Sequence, residues 1–147
     1  MLTIWSYGTT YYIATTGNNG NAGTSTGSAW ATLTYAMGGS SPVTAGDTVY
    51  VKAGNYGNEN IVCTKNGTQN NLIVVKGYVT TPGDQPIIAV NKADTSAALV
   101  TSAMPTYTGT SRTSGICIDM EGVEYVAMIN LQITAYAYGI IAGDATA

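Results

Sequence analysis

The sequence predicts an all-β chain whose short strands stack coil upon coil, with one short helix near the N-terminal side. Three observations predict it. Gly115-Ile116-Cys117-Ile118 recurs 24 residues later as Gly139-Ile140-Ile141-Ala142. An earlier pair of runs, Thr48–Lys52 and Ile73–Gly77, lies about 25 residues apart and fits the same spacing. Elsewhere, β-branched runs of strand length alternate with Gly, Asn, Thr and Pro punctuation. A period near 24 with three short strands describes one coil of a solenoid, whose inner face is buried only when the next coil stacks on it. A chain of 147 residues makes one domain, with room for about three to four such coils.

Taken in order, an apolar arm (1–10) precedes the coil domain (11–147). The expected strands are Leu2–Tyr7, Tyr11–Ala14, Asp47–Lys52, Asn60–Thr64, Asn71–Tyr78, Pro86–Val90, Gly115–Met120, Tyr125–Thr134 and Tyr138–Ile141. The helix is expected over Ala29–Met37. Ser28 caps it, Trp30, Leu33 and Met37 share one face, and Gly38-Gly39 stops it. Residues 91–114 form a long polar excursion with a short apolar centre. A loop of that length inside a compact domain is usually functional or disordered.

Composition narrows the chemistry. Lys and Arg number 5 and Asp and Glu 8, so 9% of residues are charged against about 25% in ordinary domains. There is no His, which excludes Ser/His/Asp and Cys/His triads and histidine-ligated zinc. The few scattered cations cannot form the basic stripe that nucleic acid requires. No apolar run reaches membrane-spanning length. The first residues lack the basic start and apolar core of a signal peptide. Cys63 and Cys117 alternate with apolar neighbours and read as small buried thiols. No cofactor is expected.

Tyr11–Gly23 (YYIATTGNNGNAG), Ala29–Leu33 (AWATL) and Ala45–Tyr56 (AGDTVYVKAGNY) together resemble the N-terminal cap and first coil of right-handed parallel β-helix proteins of the pectate-lyase-like superfamily. The resemblance is good over 11–56, and the coil pattern extends it more loosely to 143. It implies a right-handed parallel β-helix with a capping helix. Asn18, Asn19 and Asn21 stand where relatives carry aspartates in the first turn, which weakens an inference of calcium there, since hard cations want carboxylate oxygens. Polysaccharide lyases and hydrolases of this fold use carboxylates, lysines or arginines on the outer face of the coils, so an enzyme on this chain would belong to one of those classes.

Three carboxylates, Asp119, Glu121 and Glu124, lie within six residues. They are the weak candidates for a cation site or an acid/base pair, against the plainer reading of a solvated strand face with an acidic corner. Asp47 and Asp84 follow glycines and read as turn formers. Lys52 and Lys76 are 24 apart, which suggests that they stack on one outer face; Arg112 is the remaining basic candidate. Tyr50, Tyr78, Tyr125, Tyr136 and Tyr138 suit a sugar groove or an interface equally.

The expectation is a non-catalytic structural or interaction protein. By size and composition it is similar to phage virion components, either capsid decoration (cement) proteins that stabilise the shell or tail proteins. Assembly in the host cytoplasm and residence in the virion follow from that likeness. The alternative is a carbohydrate-active β-helix module, lyase-like or sugar-binding, with a polysaccharide as partner. Expected interface residues are Leu2, Ile4, Trp5 and Tyr7 in the arm, Leu99, Val100, Met104 and Tyr107 in the excursion, and Ile140 and Ile141 in the last coil. An apolar, uncapped last coil invites pairing with another chain. The partners expected are further copies of the chain, as a trimer by analogy with phage β-helices, and a larger shell such as a major capsid protein.

Overall fold

The structure, a computed structural model, describes residues 8–57, 59–81, 86–89, 116–134 and 138–143. Their secondary structure is mostly strand, with a single turn of 3-10 helix at Thr26–Ser28 and one short helix, α1 (Leu33–Met37). The strands are β1 (Thr10–Ile13), β2 (Thr48–Lys52), β3 (Gly54–Asn55), β4 (Ile61–Val62), β5 (Ile73–Tyr78), β6 (Pro86–Ala89), β7 (Ile116–Glu121), β8 (Val126–Ile129), β9 (Gln132–Thr134) and β10 (Tyr138–Gly143).

They form three sheets, ordered β1-β2-β5-β8, β3-β6-β9 and β10-β7-β4, and every ladder between them is parallel. From β2 onward the chain visits the first, second and third sheet in that order three times. The all-β expectation with one short helix therefore holds, and the sheets are parallel. Short strands suffice because each pairs with its counterpart one circuit away, so backbone groups are satisfied between circuits rather than within a hairpin.

Strand alternation assigns the faces. In β2 and β5, Val49, Val51, Ile73 and Val75 point inward and are at most 1% exposed. Their neighbours Thr48, Tyr50, Lys52, Val74, Lys76 and Tyr78 point outward. Successive circuits stack like on like: Tyr11, Val49, Val75 and Met128 fall in one row, and Ile61, Ile118 and Ile140 in another. Ile61 and Ile118 are buried, whereas Ile140, on the last strand of its sheet, is 49% exposed.

The register refines the repeat. Ile140 pairs with Ile118, an offset of 22 rather than 24, and Val75 pairs with Val49, an offset of 26 rather than about 25. Both registers set an inward residue beside an inward residue or its row-mate, and a slip of one residue from either would turn every inward side chain outward.

The helix is shorter than expected. Thr32, not Ser28, caps it: its hydroxyl accepts from the Tyr35 N–H at 3.1 Å. Residues 29 and 30 are extended because Trp30 serves β1. The Trp30 N–H donates to the Tyr12 carbonyl at 2.9 Å, and Tyr12 and Ala14 donate to Gly23 and Trp30 carbonyls at 2.7 and 2.9 Å. The free edge of β1 is thereby closed. The Trp30 ring, 1% exposed, stacks on Tyr11 with centroids 4.7 Å apart. Its indole N–H donates to the Asn21 carbonyl at 2.9 Å. Trp30, Leu33 and Met37 are all buried, as their spacing implied.

Candidate functional site

Among the described residues, the outer face of the first sheet carries the densest grouping of candidate ligand-binding side chains. Alternation makes it: each of β1, β2 and β5 sends a tyrosine outward while its neighbours fill the core. Tyr12 and Tyr50 pair in register, and their rings stack with centroids 5.8 Å apart and planes 21° from parallel. Tyr78 meets both edge-on, at 5.8 Å from Tyr50 and 6.4 Å from Tyr12. Burial, and secondarily the Tyr12 phenol, pushes the Tyr78 phenol above its ordinary range.

Two lysines share this face. Lys76 pairs in register with Tyr50, and Lys52 with Tyr78. The expected stacking of one lysine on the other is corrected, because a 24-residue separation on a 26-residue register leaves them two residues out of step. On β8, Ala127 and Ile129 complete the outward rows beside Val74 and Lys76, and Ile129 is 45% exposed. Among the described residues no carboxylate stands on this face. Tyr12 belongs to the group although nothing local in the sequence marks it. Its place beside Tyr50 follows from a 38-residue offset across the cap, which no 24-residue period suggests.

The acidic candidates lie elsewhere. Asp119 is on the outer face of the third sheet, level with Val62; Val62 is 57% exposed. One Asp119 carboxylate oxygen accepts from the Glu121 N–H at 3.0 Å. Glu124 follows in the turn, its N–H donating to Asn66 Oδ1 at 2.8 Å. No group of three or more His, Cys, Asp or Glu side chains that could hold a metal exists among the described residues.

The buried carboxylates are structural. Asp47, 3% exposed, accepts from the Thr9 N–H at 2.6 Å and from the Thr44 N–H and hydroxyl at 2.8 and 3.2 Å, which agrees with its reading as a turn former. Glu59, not singled out from sequence, is 6% exposed and reaches the start of α1. Its carboxylate accepts from the Leu33 N–H at 3.4 Å and from the Thr34 N–H and hydroxyl at 2.7 and 2.8 Å. Asn19, in the asparagine-rich first turn, receives the Ala31 and Thr32 N–H groups at 2.9 and 3.2 Å. Cys63 is a buried free thiol.

Of the expected interface residues, Leu2, Ile4, Trp5, Tyr7, Leu99, Val100, Met104 and Tyr107 lie outside the described residues, as do Asp84, Arg112 and Tyr136. Ile140 and Ile141 are in β10. No described helix is long and apolar enough to cross a membrane.

No family model matches the chain, and no curated protein matches it. Among solved structures it is similar to a rhamnogalacturonan lyase, with a TM-score of 0.58 and 17% identity. The match covers 86% of this chain and 28% of that one. The likeness is one of fold alone.

Proposed function

We propose that this chain is a right-handed parallel β-helix module of the pectate-lyase-like kind that binds an acidic polysaccharide without cleaving it, along the outer face of the first sheet. Parallel crossovers are right-handed in about 98% of cases, which supports the handedness. The observation that carries the function is the grouping of Tyr12, Tyr50 and Tyr78 with Lys52 and Lys76 on one sheet face. Tyrosines offer apolar ring surface and hydroxyls to sugars, and the lysines offer charge to carboxylates or sulfates. A lyase would want carboxylates beside its base to hold a uronate; among the described residues none stands on this face. The solved lyase is a further, fold-level support.

The virion reading, a cement or tail protein assembled as a trimer on a capsid shell, rests on size and composition. No particular feature of the described residues favours it over the glycan reading.

The test is affinity electrophoresis against a panel of acidic and neutral polysaccharides, with an absorbance assay for unsaturated uronate run in parallel. Retardation by an acidic polymer is expected, reduced about tenfold in affinity by Tyr50→Ala or Lys76→Ala, with no product absorbance. Retardation by no polymer, or retardation indifferent to both substitutions, would overturn the binding reading. Turnover would overturn the non-catalytic part.

A further inference from the structure

Tyr12 and Tyr50 differ from the other tyrosines in how their rings meet. They are direct partners on neighbouring parallel strands, and strand spacing holds their backbones about 5 Å apart. The rings lie 5.8 Å apart with planes 21° from parallel. Among the described residues this is the one pair of phenols stacked face to face. Tyr78 meets both edge-on, at 85° and 89°, and Tyr11 stacks on the Trp30 indole instead. Tyr12 and Tyr50 are half-buried on an outer sheet face, so each ring keeps one side open to a reagent in water.

Their surroundings favour reaction with each other. A phenoxyl radical is readily quenched by a thiol or thioether in contact with it. Among the described residues the sulfurs are kept away from this face: Met37, Cys63 and Met120 are at most 9% exposed, and Met128 falls in the inward row of Tyr11, Val49 and Val75. Cys117 is on β7 in the third sheet.

We infer that Tyr12 and Tyr50 form an oxidative cross-linking site, where a one-electron oxidant such as a haem peroxidase with hydrogen peroxide joins the rings as dityrosine. Each phenol gives up one electron and its hydroxyl proton. The two phenoxyl radicals then form one carbon–carbon bond between an ortho position of each ring. The hydrogens displaced from those carbons return to the oxygens as protons, which restores both phenols. The protein loses two hydrogen atoms in all, and the peroxide is reduced to two waters. The bond spans a 38-residue offset that contains α1, so it staples the cap to the first circuit. It needs no glycan on the face.

The experiment treats the dilute full chain with horseradish peroxidase and hydrogen peroxide. Dityrosine fluorescence is expected in the monomer, with a mass lower by two hydrogen atoms and peptide mapping that joins Tyr12 to Tyr50. Tyr12→Phe and Tyr50→Phe keep the stacked rings but remove one phenol, and each should lose the monomer product. Tyr78→Phe should keep it. The joined chain should melt about 10 °C higher, because a cross-link over a loop of this length restricts the unfolded chain. Cross-links only between chains, a mapped bond through Tyr78, or a monomer product that survives Tyr50→Phe overturns the site. A joined chain that melts with the unmodified one overturns the staple.

Discussion

Lys76 lies directly beside Tyr50 on the next strand of the first sheet, although 24 residues separate it from Lys52 and the repeat suggested that the lysines would meet. The reason is register. Val49 pairs with Val75 and Val51 with Gly77, an offset of 26, which sets Tyr50 beside Lys76 and Lys52 beside Tyr78.

The tyrosine rows should then be energetically coupled. A double-mutant cycle on Tyr12→Ala and Tyr50→Ala should give a coupling of about 0.5–1.5 kcal/mol for the stacked pair. Chemical denaturation of the four proteins measures it. A coupling indistinguishable from zero would mean that the rings do not touch in solution.

Much of this architecture is legible in the sequence because strand alternation and helix spacing are local signals. Trp30, Leu33 and Met37 declare the buried face of the cap, and the Thr48–Lys52 run declares its two faces. What is not legible depends on distant pairing. Tyr12 finds Tyr50 only because residues 14–47 fold into a cap of fixed size. Glu59 reads as one more charge after a turn until its carboxylate is seen at the N–H groups of Leu33 and Thr34. The helix starts later than its local signals imply for a related reason: Trp30 closes the edge of β1, and that tertiary demand overrides local helix preference.

Glu59 makes a testable latch between the first circuit and the cap. It is buried, and its hydrogen bonds are charge-assisted. Glu59→Ala leaves the Leu33 and Thr34 donors without this acceptor and should cost about 2–3 kcal/mol, with Glu59→Gln costing less because one amide oxygen still accepts. Thermal melting compares them. Equal stability of wild type and Glu59→Ala would show that the latch contributes nothing.

Close backbone approach gives a contrast between two glycines. A Cβ on Gly67 would fall on the Tyr125 carbonyl oxygen, which is backbone and cannot rotate away, whereas a Cβ on Gly27 meets nothing within 4 Å. Gly67→Ala should destabilise by several kcal/mol or prevent folding, and Gly27→Ala should stay within about 0.5 kcal/mol of wild type. Soluble yield and melting temperature report both. A Gly67→Ala protein as stable as Gly27→Ala would mean that the two circuits are further apart than described.

Alkaline conditions probe the interior. Burial, and secondarily the charge of Asp119, pushes the Cys63 thiol up from 9.0 to about 12. The unfolded chain therefore loses this proton near pH 9 while the folded chain keeps it. Above that point the unfolded state binds fewer protons, so stability falls as pH rises, by about 1.4 kcal/mol per pH unit, until the folded thiol also ionises. Below pH 9 the group contributes no pH dependence. Tyr56 adds a second, later decline starting near 10, because burial above all, then Tyr78 and Glu59, raises its phenol well beyond that value. Its hydroxyl donates to the Lys52 carbonyl at 2.6 Å, a bond that holds only while the proton is present. Denaturant melts from pH 7 to 11 should show wild type losing stability from pH 9, and Cys63→Ala holding level until about pH 10, where the tyrosine takes over. Cys117 is common to both proteins, so any contribution it makes cancels in the comparison. Identical slopes for the two proteins between pH 9 and 10 would place the Cys63 thiol in water rather than in the core.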